Sequence, residues 1–204
     1  MPKDCPICNN KRHIFKEGKG WVRCECMAQL RADTIMSQSG FPDSLWSIES
    51  TQFKPGDNPD RNLLAQGIVS TVKNADKQPI FIYSNSPDKD IAAAIICRYS
   101  AIAQESVKSI SYVTIDQLVQ VQFGKEYENQ SKVNPLFADI TVLSIGREMT
   151  NNAHRSALYT ILYDRILSQK FTIVCSFIPK NRILQIYHKA VDDLFNANFV
   201  FYSC

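Results

Sequence analysis

Three segments decide the fold: Pro79-Ile-Phe-Ile-Tyr83, Ser84-Asn-Ser-Pro-Asp-Lys-Asp90 and Ile91-Ala-Ala-Ala-Ile-Ile96. Residues 80–83 are a short apolar run rich in β-forming side chains, bounded by turn residues, and read as a buried strand. The Ser/Asn/Pro/Asp cluster that follows is a turn. The alanine run then opens a helix. In such a strand–turn–helix the turn takes the place of a phosphate-binding loop. That loop needs glycines so that backbone N–H groups can wrap the phosphates, a lysine for charge, and a hydroxyl for Mg²⁺. Residues 84–90 contain no glycine, and Lys89 is followed by Asp90 where the hydroxyl belongs. Asp88 and Asp90 would both repel phosphate. Ser84, Asp88, Lys89 and Asp90 are read as a degenerate nucleotide site.

Outward from this stretch the pattern alternates. Strands are predicted at 80–83, 111–114, 140–145, 172–177 and 199–202, and helices at 90–103, 115–127, 152–169 and 180–196. Apolar strands alternating with helices of this length imply an α/β fold with a parallel sheet covered on both faces. A further helix is predicted at 62–74, after a polar, turn-rich stretch, Lys54-Pro-Gly-Asp-Asn-Pro-Asp60. A second nucleotide signature belongs at the end of the strand at 140–145, where an acid holds Mg²⁺ and its neighbour activates water. Ser144 and Ile145 stand there instead. Asp139 lies at the strand's other end. Glu148 is the one acid near the right edge, and reads more simply as a helix-start or surface acid.

The first 26 residues hold four of the seven cysteines. Cys5-Pro-Ile-Cys8 is a CxxC knuckle and Cys24-Glu-Cys26 a CxC. Two close thiolate pairs can close a tetrahedral zinc site, and zinc folds modules this small. His13 could substitute, but four cysteines leave it no vacancy. Asn9-Asn-Lys11 and Glu17-Gly-Lys-Gly20 read as turns of two short hairpins. Residues 27–38 have helical periodicity, stopped by Gly40.

Across residues 3–31 seven Lys/Arg stand against three carboxylates, an excess of four cations. Four thiolates on Zn²⁺ reduce this to about +2. Lys11, Arg12, Lys16, Lys19 and Arg23 surround Phe15 and Trp21. Cations interleaved with aromatics suit single-stranded nucleic acid, where bases stack and phosphates pair. The bland counterpart is a solvated surface with two rings packed on the metal core.

Hydrophobic content of 45% and charged content of 21% are those of a globular protein rather than a disordered or membrane one. No apolar run is long enough to span a bilayer. Met1-Pro-Lys-Asp-Cys5 carries no apolar leader, so a reducing, cytoplasmic setting is expected. Cys97, Cys175 and Cys204 read as buried small hydrophobes or, for the last, a frayed end.

The order of these pieces resembles the bacterial and phage helicase loaders of the DnaC/DnaI type, which are AAA+ proteins. Arg23-Cys-Glu-Cys26, the basic helix and Ser39-Gly-Phe-Pro42 resemble the zinc-bearing N-terminal region of phage versions. Thr51-Gln-Phe53 resembles the lead-in to the ATPase domain, and Tyr112-Val-Thr114 with Leu118 the strand and helix after the phosphate loop. Ala138-Asp139, Leu143 and Gly146 resemble the strand of the second signature. Arg155-Ser156, Leu158-Tyr159, Ile161 and Tyr163-Asp-Arg165, then Thr172-Ile-Val-Cys-Ser176, resemble the next helix and strand. The resemblance implies a zinc-binding module and helix at 1–38, a linker at 39–60, and an AAA+-like αβ domain at 61–204. It also implies a hexameric replicative helicase as partner, single-stranded DNA as a second one, and association with itself or with other AAA+ loader subunits. The setting would be the bacterial cytoplasm, a host's if the gene is phage-borne.

The departures from that family agree with one another. The loop lacks its glycines and hydroxyl, the paired acids are Ser144 and Ile145, and the polar sensor of the next strand falls on Phe177. For the family's interface arginine, Lys189 is the nearest candidate. No ATPase activity is expected, and no catalytic residue is assigned. Three alternatives stand beside this reading. One is a zinc-ribbon nucleic-acid binder with an αβ oligomerisation scaffold. Another is a phage inhibitor of a host helicase or loader. The third is a weak ATPase using Lys89 and Glu148.

Overall fold

The computed structural model describes residues 5–46, 78–122, 133–146 and 151–203. The expected helix at 62–74, the turn-rich stretch at 54–60, the Thr51–Phe53 lead-in, Glu148, Cys204 and the last residues of the helix expected at 115–127 lie outside them.

The chain opens with an antiparallel hairpin, β1 (His13–Lys16) and β2 (Gly20–Arg23), followed by helices α1 (Cys26–Ser37) and α2 (Asp43–Trp46). Only the second of the two expected hairpins forms. Cys5–Asn10 is instead a compact turn, closed by bonds from the Asn9 and Lys11 N–H groups to the Cys5 and Cys8 carbonyls. Asn9 and Asn10 adopt positive φ there, as asparagine tolerates. The αβ domain then runs β3 (Ile80–Tyr83), α3 (Asp88–Ala103), β4 (Ile110–Thr114), α4 (Ile115–Gln122), β5 (Ile140–Ile145), α5 (Asn152–Leu167), β6 (Phe171–Ser176), α6 (Lys180–Tyr187), α7 (Lys189–Asn198) and β7 (Val200–Ser203).

The five strands pair in parallel in the order β4-β5-β6-β3-β7. Every residue of β5 and of β6 is buried. A parallel strand with helices on both faces has no solvent side, so its sequence is a continuous apolar run. Alternate residues feed two cores. Ile80, Ile82, Val142 and Ile173 pack with α3, while Phe81, Leu143 and Val174 pack with α5, α6 and α7.

Two boundaries differ from expectation for backbone reasons. The helix expected at 180–196 is two, because His188 sits at φ 82° and breaks the ladder between α6 and α7. Helix α3 starts two residues earlier than expected, directly after Pro87, whose ring fixes a φ suited to a helix start.

Helix α1 belongs to the packed body. Its Ala32, Ile35 and Met36, together with Phe41, lie in the core beside Ala92–Cys97 of α3. Arg31 donates to the Ala101 carbonyl, Asp33 pairs with Arg98 at 3.1 Å, and the Phe41 ring lies 4.5 Å from Tyr112. The packing thus runs through the division expected at residue 38.

Candidate functional sites

In an open parallel sheet a ligand crevice forms at the carboxyl ends of the strands, where successive connections leave on opposite faces. Here that point is β3 beside β6. The chain leaves β3 through α3 on one face and β6 through α6 on the other. The register sets Tyr83 opposite Ser176, so the turn 84–87 faces Phe177.

The crevice is closed by its own side chains. Lys89 has no exposed surface. Its Nζ donates to the Ser86 carbonyl at 2.9 Å, lies 3.4 Å from Asp90 Oδ2, and sits 3.0 Å from the centroid of the Phe177 ring. Two N–H groups are engaged by the turn's own hydroxyls, and that of Ser84 donates to the Ser176 carbonyl. Ser84 Oγ accepts from the Ser86 N–H at 3.1 Å, and Ser86 Oγ from the Asp88 N–H at 3.2 Å. Pro87 has no N–H to offer. Asp90 is turned into the protein, where Oδ1 accepts from the Tyr112 hydroxyl at 3.2 Å. Burial, and then the charge of Asp90, push the Tyr112 pKa up, so the hydroxyl stays a donor. Asp88 is half-buried in the first turn of α3. Ser144 and Ile145 end β5 as expected, both buried. Phe177 falls one residue past β6, its N–H bonded to the Ile145 carbonyl.

Sequence reasoning missed Ser86 and Tyr112. The Ser-x-Ser-Pro-Asp pattern is a local signal for hydroxyls that cap their own turn. Tyr112 gave none, because it comes from a strand three places away in the sheet. Asp139, at the amino end of β5, accepts from the Lys108 and Ser109 N–H groups, far from this crevice. Lys189 is spent on Asp193, 2.7 Å away in an exposed pair one helical turn on.

The second site is the cysteine cluster. Cys5, Cys8, Cys24 and Cys26 place their sulfurs all within 4.8 Å of one another, with Cys5–Cys24 at 3.8 Å and Cys8–Cys26 at 3.6 Å. Tetrahedral zinc with Zn–S of about 2.3 Å has S–S edges of about 3.8 Å, so the four sulfurs fit that ion. The Cys8 and Ile7 backbone N–H groups pull the Cys5 pKa down to about 7, toward the thiolate that a metal needs. Burial and the neighbouring sulfurs push Cys26 up to about 12. His13 lies outside the cluster, on β1.

The hairpin beside the cluster displays the expected aromatics. Phe15 is directly opposite Trp21, and the rings meet edge-to-face at 5.9 Å. They are 66% and 70% exposed, so they do not pack on the metal core. Lys11, Arg12, Lys16, Lys19 and Arg23 are exposed around them.

No protein-family model matches the chain, and no curated protein matches it. Solved structures do. The crystal structure of the DnaC helicase loader superposes with TM-score 0.64 at 16% identity, covering 79% of this chain and 99% of that one. DnaI gives 0.63 at 12%, covering 81% and 95%. The fold is that of the DnaC/DnaI helicase loaders. Domain III of the replication initiator DnaA from Thermotoga maritima gives 0.60 at 15%, covering 78% of this chain and 66% of that one. The expected AAA+-like sheet is thus present, with the cysteine cluster ahead of it. Among the described residues no helix is long and apolar enough to cross a membrane.

Proposed function

We propose that this chain is a loader-like DNA replication protein that binds a hexameric replicative helicase and single-stranded DNA without an ATP cycle. The observation that carries the reading is Lys89, which lies against Ser86, Asp90 and Phe177 where a phosphate-binding lysine would meet its ligand. For a triphosphate to enter, Phe177 would have to leave the lysine and the turn would have to give up its internal bonds. Bringing backbone close to phosphate also requires glycine, which this turn lacks. The loader fold supports the choice of partner. Helicase contact falls to the zinc module and the outer side of α1, since the inner side of α1 is occupied by α3. The metal is zinc, held by Cys5, Cys8, Cys24 and Cys26. A cytoplasmic setting, a bacterial host's for a phage-borne gene, and association with itself or with other loader subunits belong to the same reading.

The test is co-purification of the tagged full chain with the replicative helicase of its own replication system, with and without Mg-ATP. The expected result is a complex that forms in both conditions alike. Failure to form in either would remove the loader reading. Nucleic-acid binding without helicase binding would favour a zinc-ribbon binder with an αβ scaffold. A complex that requires ATP would restore an active site.

A further inference from the structure

The hairpin sorts its side chains by face. Opposite residues of an antiparallel pair share a face, and neighbours along a strand alternate. The register pairs His13 with Arg23 and Phe15 with Trp21, so these four project together, while Ile14, Lys16 and Val22 take the other side. Ile14 and Val22 are half-buried. The hairpin's two aliphatic residues are thus the sheltered ones, and the two largest rings are left outside. An exposed aromatic pair of this size on a four-residue strand contributes little to folding, because most of its surface stays wet.

Charge identifies the occupant. Residues 11–23 carry five Lys/Arg and one carboxylate, Glu17. All five cations are exposed. A second exposed aromatic pair, Tyr159 and Tyr163 stacked on α5, stands beside Asp164. Rings within a ring of cations match a polyanion whose π-faces are accessible. A duplex keeps its bases stacked on one another, whereas a single strand offers them.

We infer that the His13/Phe15/Trp21/Arg23 face of the hairpin is a stacking platform for unpaired bases of a single-stranded nucleic acid. Arg23 on the same face, with Lys11, Arg12 and Lys19 in the flanking turns, holds the flanking phosphates. This rests on the single-strand reading proposed above, and it assigns that contact to the zinc module rather than to the sheet. Trp21 is the anchor, as the larger and more exposed ring of the pair, and Phe15 sets its orientation from across the strand pair.

The experiment uses the full chain with zinc bound. The chain has two tryptophans, so Trp46→Phe leaves Trp21 as its one indole. Titration with oligothymidylate is expected to quench that fluorescence. Trp21→Ala and Phe15→Ala are each expected to weaken binding by about tenfold or more, with the salt slope unchanged. Arg23→Ala is expected to flatten the slope by about 0.7 while leaving quenching in place. Trp21→Phe should restore most of the affinity. Zinc content read on every variant confirms that the module is folded. An unquenched Trp21 with unchanged affinity in Trp21→Ala overturns the platform while leaving single-strand binding standing elsewhere. Loss of helicase co-purification in Trp21→Ala, with oligothymidylate binding intact, makes the face a protein contact and also overturns it. If the wild-type chain binds no single strand at all, the broader reading of nucleic-acid contact fails with it.

Discussion

The Lys89 ammonium sits 3.0 Å from the centre of the Phe177 ring, with a carbonyl and a carboxylate completing its surroundings. A desolvated cation over an aromatic face is worth about 2 kcal/mol. Phe177→Leu keeps bulk and removes the π-face. It should lower the melting temperature by roughly 4–8 °C for a chain of this size. A thermal scan unchanged from wild type would mean that the ring does not hold the lysine.

Mg-ATP at millimolar concentration should leave the melting temperature unmoved. A ligand at about 100 times its Kd stabilises the native state by about 2.7 kcal/mol, which such a scan would detect. An ATP-dependent rise that disappears in Lys89→Ala would show that the lysine swings out to meet phosphate.

One zinc per chain is expected in protein purified without chelators, from the four sulfurs within 4.8 Å of one another. Cys5→Ser should lose the metal and unfold the hairpin, because structural zinc supplies folding free energy of about 10 kcal/mol or more. Cys97→Ala should leave zinc content unchanged, since that thiol is buried among α3 neighbours. Elemental analysis of the three proteins distinguishes these outcomes.

Among the described residues Arg165 is the largest fully buried side chain, and its hydrogen bonds there go to backbone carbonyls and a hydroxyl. Its guanidinium donates to the Pro135, Ala138 and Phe171 carbonyls and to Thr172 Oγ1. Burial pulls its pKa down to about 10, with Asp139 opposing, so it remains charged at neutral pH. Arg165→Met would take a donor from three buried carbonyls, of which that of Pro135 keeps the Thr141 hydroxyl at 2.7 Å, and should cost about 2 kcal/mol or more in urea unfolding. Arg165→Lys should rescue little, since an ammonium cannot fork to four acceptors spread around a plane.

How much of this was legible in the sequence depends on how far apart the partners lie. Strands β3 and β5 have the expected bounds, because a doubly covered parallel strand is written as one apolar run. The cysteine cluster was legible because chelate spacing is local. The break at His188 was not. Its positive φ has no local mark, and the apolar spacing of Ile183, Tyr187, Val191 and Phe195 continues across it. The missing glycines were visible, yet the fate of Lys89 was not, since Phe177 is brought to it only by the pairing of β3 with β6. The docking of α1 was hidden for the same reason. Its apolar residues read as a helix face, but nothing nearby in sequence names α3 as the surface they meet.

Cys26 is at once a cluster cysteine and the first residue of α1. The helix runs twelve residues, a rod of about 18 Å, and just past its end the Ser39 carbonyl accepts from the Tyr112 N–H of β4. Hairpin, metal site and sheet edge are thus joined through one helix, so a load placed on the exposed rings would be carried along α1 to the edge strand of the sheet.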